Sequence, residues 1–499
     1  MIPRARLVCP ALRWRRGSFR SERAKIEQAL AAGVGGFILF GGTRAAVTAL
    51  TSALRDTAGR PLLLGSDFER GPGQQVRGLT ELPPPAALGL LNDLDATYAC
   101  GSITGTEARA VGLTWVFAPV CDLDIEPRNP IVQTRAFGAD PSVVGSHAAA
   151  WIKGCQEHGV MACAKHYPGH GRTTTDSHEG LPVVTASAAE LQAEAAPFAA
   201  AVQAGVASVM PAFVAYPGWD PSGSAATFSK PILDYLRASL GFNGLVVTDA
   251  FIMGGATAAA PEGVASVAAV NAGCDMLLYP TDWAEVVREL AHVDPDRADH
   301  ALARYEAAVN PGASPRGQPS DLDDAMLAEH QRFADGLADR TVHLVRGERP
   351  LLGKTLSVTI VDDDVGGPYS IPPRDVFHAT VSASGVRLTP GRRPGVDGTS
   401  STPGGRPGVD GTSPTPGHRP GVSRVILVYA EPRSWKGRGD LGPQSLSKLA
   451  GLVPGASLVI LFAHPRLISQ IPGDVPVLCA WHGQALMQRA AARWVVRTV

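Results

Sequence analysis

Eight short apolar runs punctuate the first two-thirds of the chain: Arg6–Pro10, Gly36–Phe40, Leu62–Ser66, Trp115–Val120, Met161–Lys165, Ser208–Ala212, Leu245–Thr248 and Met276–Tyr279. Each is too short for a helix and apolar at successive rather than alternate positions. That is the pattern of a strand buried on both faces. Between them lie Ala-rich stretches with helical periodicity, among them Ser21–Ala32, Ala188–Ala204 and Lys230–Ser239. Strand and helix in alternation predict an α/β fold, and eight repeats over residues 1–340 predict a TIM-type (β/α)8 barrel, with a doubly wound sheet as the alternative. Polar positions favour the barrel. Asp67, Asp122, Lys165, Asp249 and Asp275 are read at or just after the C-terminal end of a run, the face on which barrels carry their chemistry.

Past residue 340 the texture changes. Leu356–Asp362, Val425–Tyr429, Leu458–Phe462 and Val475–Ala480 are strand candidates at α/β spacing, predicting a smaller α/β sandwich over 341–499. A repeat interrupts it, Thr389-Pro-Gly-Arg-Arg-Pro-Gly-Val-Asp-Gly-Thr-Ser-Ser followed by a near copy from Thr402 and a partial one from Thr415. So much Pro, Gly, Ser and Thr cannot bury enough apolar surface to fold, so residues 389–422 read as a disordered insertion. They offer no hydrophobic face to stack, which excludes a repeat architecture.

Composition narrows the partners. Of 499 residues, 45% are hydrophobic and 18% charged, with a formal net charge of -1. That balance suits an ordinary globular protein with ample core and argues against nucleic acid or an anionic membrane as the main partner. No stretch approaches the ~18 consecutive apolar residues of a membrane helix. Seven cysteines without paired spacing read as buried free thiols in a reducing compartment. The N-terminus is Arg-rich without the apolar core of a signal peptide. A cytoplasmic location is expected. Oligomeric state is not legible.

The chemistry concentrates in Ala164-Lys-His-Tyr-Pro-Gly-His-Gly-Arg-Thr-Thr-Thr-Asp-Ser-His-Glu-Gly-Leu-Pro182. A buried strand gives way there to Pro168, Gly169 and Gly171, the punctuation of a loop. Lys165, His166, His170, Asp176 and His178 crowd onto it. Three histidines and a carboxylate are possible metal ligands, although the proline and glycines break any metalloprotease helix. Alternatively Asp176 orients His178, whose imidazole shuttles a proton. A third reading has the histidines merely bracing the loop.

This stretch resembles the signature of bacterial β-N-acetylglucosaminidases of glycoside hydrolase family 3, and the agreement is long and specific. The resemblance implies His178 as general acid/base, Asp176 as its partner, and Lys165 and His166 as ligands of sugar hydroxyls. It sets the metal reading aside, so no metal or cofactor is expected. Asp67-Phe-Glu-Arg-Gly-Pro-Gly-Gln-Gln-Val-Arg77 is similar to the family's segment after the third strand, implying Asp67 and Arg77 as substrate ligands. Its Asp-to-Arg spacing is about two residues longer than in the shortest members. Asn129-Pro-Ile-Val-Gln-Thr-Arg135-Ala-Phe-Gly resembles a family loop whose arginine implies Arg135 as a further ligand. Gly244-Leu-Val-Val-Thr-Asp249 resembles the nucleophile strand, implying Asp249 as nucleophile; taken alone, Asp249 could equally cap the following turn. Where the family often has Val-Met-x-x-His, this chain has Val209-Met-Pro-Ala-Phe213, so one polar contact is missing.

The activity implied is a retaining exo-glycosidase acting on terminal β-linked N-acetylglucosamine of cell-wall or chitin-derived saccharides. On that reading the partner is a small saccharide. A β-glucosidase or an N-acetylglucosaminide phosphorylase on the same scaffold is the alternative enzyme, and a non-catalytic sugar-binding protein the alternative of another class.

Overall fold

The computed structural model describes residues 3–175, 180–257, 260–310, 322–366, 371–390 and 421–499. By packing, the chain divides into two units, Met1–Thr341 with Pro432–Asp440, and Val342–Glu431 with Leu441–Val499.

The first unit is built on parallel strands that close into a ring. β1 (Val8–Cys9) and β2 (Ala11–Arg13) flank Pro10 and form one stave. β2 pairs with β3 (Gly36–Phe40), β3 with β4 (Leu63–Ser66), and β4 with β5 (Trp115–Val116). A bridge from Trp115 to Met161 leads to β6 (Cys163–Tyr167), which pairs with β7 (Ser208–Pro211), and β7 with β8 (Leu245–Val246). A bridge from Val247 to Met276 then reaches β9 (Leu277–Leu278), which returns to β1. This is a TIM-type barrel. Its core packs Cys9, Ile38, Leu63, Trp115, Met161, Met210, Leu245 and Met276, one from each stave, which is why these runs had to be apolar.

Three expectations need correction. Ala188–Ala204 is two helices, Ala188–Glu194 and Ala196–Gln203, because Pro197 cannot donate a helical hydrogen bond and starts a new one. Lys230–Ser239 is a short α-helix, Lys230–Asp234, running into a π-turn over Tyr235–Ser239. Asp275 precedes β9 instead of following a strand, and lies fully buried against Arg237, Arg297 and Arg304 at 2.6, 2.7 and 3.1 Å. A carboxylate shared by three guanidiniums there braces the framework.

The second unit is a six-stranded sheet in the order β10-β15-β14-β13-β11-β12. Its strands are β10 (His343–Arg346), β11 (Thr355–Asp362), β12 (Arg387–Pro390), β13 (Val422–Tyr429), β14 (Leu458–Phe462) and β15 (Val477–Cys479). All pairs are parallel except β10 with β15. Ile426, Val428 and Val459 pack with Leu449 of the helix Pro443–Leu452. Helices Val376–Ala383 and Ala485–Val496 pack on each other. The sequence reading missed β10 and β12, whose positions carry more polar side chains than central strands do. Thr389 and Pro390 belong to β12, pairing with Ser357 and Val358, and Val422 starts β13. Residues 391–420, the bulk of the repeat, lie outside the described residues.

Candidate active site

The polar residues at the strand ends converge on one face of the ring. Lys165 sits inside β6 with its side chain only 4% exposed. Its ammonium lies 2.9 Å from Asp67 Oδ1 and 2.7 Å from Glu69 Oε1. Arg135 donates from Nε and Nη2 to the two oxygens of Glu69, both at 2.8 Å. Burial pushes the Lys165 ammonium down, but Asp67 and Glu69 outweigh it and hold the group above its ordinary range. Burial likewise pushes the Glu69 carboxyl up, and Arg135 with Lys165 hold it well below the usual carboxylate range. Lys165, Glu69 and Arg135 hold one another charged, a set of fixed charges suited to gripping hydroxyl groups.

The next residue, His166, faces two aspartates. Its Nδ1 lies 2.7 Å from Asp122 Oδ2, and its backbone N–H donates to Asp122 Oδ1 at 3.1 Å. A carboxylate accepts only, so Nδ1 carries the proton. Nε2 is left 3.9 Å from Asp249 Oδ2. Burial pushes the Asp122 carboxyl up, but His166 and His170 outweigh it and hold it at about 2. Asp249, just past β8, accepts the N–H of Ala250 through Oδ1 at 2.7 Å, which fixes the carboxylate. Its side chain is 19% exposed, open to a ligand from outside.

Beyond β6 the loop is held from several sides. His170 N–H donates to Asp122 Oδ1 at 2.7 Å, and its Nδ1 lies 2.6 Å from Thr173 Oγ1. Asn129 Nδ2 donates to the carbonyl of His170 at 2.9 Å and to Thr173 Oγ1 at 3.2 Å, and Tyr216 Oη donates to the carbonyl of Gly169 at 2.8 Å. Gly171 is required because a Cβ there would fall 2.2 Å from the carbonyl oxygen of Leu123. Asp176 and His178 lie outside the described residues.

The structure thus gathers Asp67, Arg135, Lys165, His166 and Asp249. Arg77 stands apart from these pairings. It is exposed, and its backbone pairs with the loop after β3 through Gly42 and Arg44. Phe213, where a histidine is common, is buried against Phe228 and Phe251. Glu69, Asp122 and Asn129 were not among the predicted site residues. Asp122 was visible as a charge at a strand end, and Glu69 lay inside the quoted motif. Nothing in the spacing showed that they organise the others. Among the described residues, no three His, Cys, Asp or Glu side chains converge as a metal site would require.

A closed parallel barrel with buried charge pairs and a part-exposed carboxylate on one rim has the layout of an enzyme active site. The comparisons give the family. Residues 9–304 match the model described as "Glycosyl hydrolase family 3 N terminal domain", and the chain belongs to that family of glycoside hydrolases. It is 40% identical over 292 residues to a "Beta-hexosaminidase" of Bordetella avium, covering 55% of this chain and 83% of that one. It is 33% identical over 340 residues to a "Beta-N-acetylglucosaminidase/beta-glucosidase" of Cellulomonas fimi, covering 64% of this chain but only 60% of that protein. Among solved structures it resembles a family 3 β-N-acetylglucosaminidase from Paenibacillus sp. at a TM-score of 0.81 and 23% identity, covering 100% of this chain and 97% of that one.

Proposed function

We propose that the protein is a retaining exo-glycosidase that removes terminal β-linked N-acetylglucosamine from cell-wall or chitin-derived saccharides. The observation that carries this reading is the convergence of Asp249 with the Lys165–Asp67–Glu69–Arg135 charge cluster on one barrel rim. The names of the relatives support the N-acetyl sugar.

On this reading Lys165, Asp67, Arg135, His166 and Arg77 hold sugar hydroxyls. Asp249, fixed by the Ala250 amide, attacks the anomeric carbon through Oδ2 and forms a glycosyl-enzyme. His178 protonates the departing oxygen and then takes the proton of the incoming water, with Asp176 orienting its ring. An acid that becomes neutral on giving its proton does not repel an anion. Phosphate is therefore an alternative acceptor. No helix among the described residues is long and apolar enough to cross a membrane. Seven free, buried cysteines support a reducing, cytoplasmic setting.

The test is hydrolysis of p-nitrophenyl N-acetyl-β-glucosaminide beside p-nitrophenyl β-glucoside, each with and without phosphate. Preference for the N-acetyl sugar, with free N-acetylglucosamine as product, is the expected result. Preference for glucose, or a sugar phosphate as main product, would replace the reading with the β-glucosidase or phosphorylase alternative. Binding of the sugar without any turnover would establish a sugar-binding protein.

A further inference from the structure

The staves that do not supply the Lys165 cluster carry a second polar feature on the same rim. Arg13 ends β2, Phe40 ends β3 and Tyr279 follows β9. Both rings pack against the barrel core. Their centroids lie 5.6 Å apart, and the Arg13 guanidinium sits over both, 4.6 Å from the Phe40 centroid and 5.1 Å from that of Tyr279. Arg13 Nε donates to Tyr279 Oη at 2.6 Å. Two aromatic faces and one hydrogen bond thus hold the guanidinium in one orientation. The proposed nucleophile is on the adjoining stave. The N–H of Phe251, two residues past Asp249, donates at 3.0 Å to the carbonyl of Leu278, which precedes Tyr279.

The clamp leaves the charge unanswered. Arg13 is half-buried, yet it makes no ion pair among the described residues, and its two Nη groups meet no acceptor there. An arginine drawn out of water is normally paired with a carboxylate, as Arg135 is with Glu69. Its neighbours add charge of the same sign. Residues 13–20 include Arg15, Arg16 and Arg20 but no acid, and none of the three has a carboxylate partner among the described residues. Glu22, the next acid along the chain, is taken by Lys25 at 2.5 Å. Arg15 and Ser18 exchange backbone hydrogen bonds at 3.0 and 3.1 Å, so the segment after Arg13 is a tight turn that keeps its arginines beside the rim.

We infer that Arg13 is an anion-binding residue of the barrel mouth, taking an oxyanion carried either as a carboxylate on the leaving saccharide or as inorganic phosphate. The inference rests on the proposed glycosidase reading, in which the Lys165 cluster holds the sugar under attack and leaves this part of the rim to the leaving group or the acceptor. A planar guanidinium with both Nη groups unpaired presents a fork that matches two oxygens of a carboxylate or phosphate. Phe40 and Tyr279 keep that fork aimed, so little side-chain freedom is lost on binding. The arginines of the adjoining turn raise the local concentration of anions.

The experiment uses the full chain and the variants Arg13→Met and Arg13→Lys, with melting temperature measured beside kinetics. Two disaccharides are compared, N,N′-diacetylchitobiose and the same molecule bearing a lactyl ether on O3 of its reducing sugar, which adds one carboxylate. Each is followed with and without inorganic phosphate. With a carboxylate as the anion, the wild type favours the acidic disaccharide by about tenfold or more in kcat/KM, chiefly through KM. Arg13→Met then brings the two substrates within about twofold of each other, and Arg13→Lys keeps part of the preference. With phosphate as the anion, phosphate changes the wild-type rate saturably, and its half-saturating concentration rises about tenfold or more in Arg13→Met. Should methionine prevent folding, Arg13→Lys decides by a partial loss of the same response. A wild type showing neither response, or variants that keep in full the response the wild type shows, would overturn the inference and leave the proposed function standing. A wild type inactive on both disaccharides would remove the proposed function and this inference with it.

Discussion

His166 Nδ1 lies 2.7 Å from Oδ2 of Asp122, a carboxylate with no exposed surface. The other oxygen of that group accepts the backbone N–H groups of His166 and His170. One buried aspartate therefore sets both the ring orientation of His166, which faces Asp249, and the start of the loop that follows β6.

That arrangement predicts an acid limb. Asp122 is held at about 2 in the fold, against roughly 3.9 in an unfolded chain. A depressed carboxyl pKa contributes stability that is fully present above the unfolded value and is lost as pH falls through the folded one. The window is therefore about pH 4 to 2, and the contribution above it is about 2–3 kcal/mol. Asp122→Asn should lower stability by about that much at pH 7. Its deficit against wild type should shrink as pH falls from about 4 to 2. Urea unfolding at a series of pH values measures it, and a deficit independent of pH would assign the loss to packing.

The two arginines should respond differently. Arg135 is paired through both oxygens of Glu69, so Arg135→Ala leaves that carboxylate buried beside Lys165 alone. Breaking a buried pair from one side costs about 3–5 kcal/mol, and the melting temperature and substrate affinity should fall together. Arg77 is exposed, so Arg77→Ala should change stability by less than about 0.5 kcal/mol and raise KM alone. An unchanged KM in Arg77→Ala would remove it from the substrate ligands.

The barrel was legible because its strands are buried on both faces and so read as short continuous apolar runs. Lys165 and Asp249 were legible because a charge ending such a run must serve a purpose on the rim. Glu69, Asp122 and Asn129 were hidden because their work is done across the sequence. Asn129 meets His170, and Asp122 meets His166, only once neighbouring staves pair. Asp275 was misplaced for a related reason. A carboxylate next to a strand reads alike at either end until the arginines that surround it are known. The Gln133–Gly439 contact spans 306 positions, and no local pattern carries a pairing at that distance.

The repeat between β12 and β13 should be dispensable. Its Pro/Gly-rich composition has little apolar surface to contribute. Long loops cost only slowly growing entropy, so replacing residues 391–420 with a short Gly/Ser linker should leave activity unchanged and the melting temperature the same or slightly raised. A drop of several degrees would show that the segment packs on the fold.

Asp249 and His178 should fail in different ways. With Asp249 as nucleophile, Asp249→Ala removes the covalent path and abolishes turnover for every substrate, whatever its leaving group. The need for His178 depends instead on the aglycone. A good leaving group departs with little proton assistance, so His178→Ala should still form the glycosyl-enzyme from an activated aryl glycoside while losing disaccharides. Deglycosylation then becomes slow for want of activated water, and azide should speed it by attacking in water's place. Asp176→Ala should show a milder form of this pattern, since it removes only the orientation of the ring. Single-turnover and steady-state kinetics on aryl glycosides of graded leaving-group pKa separate the cases. Equal loss across the series in His178→Ala, without azide rescue, would place the proton shuttle on another residue. Among the described residues His166 would then be a candidate, with Nε2 3.9 Å from Asp249.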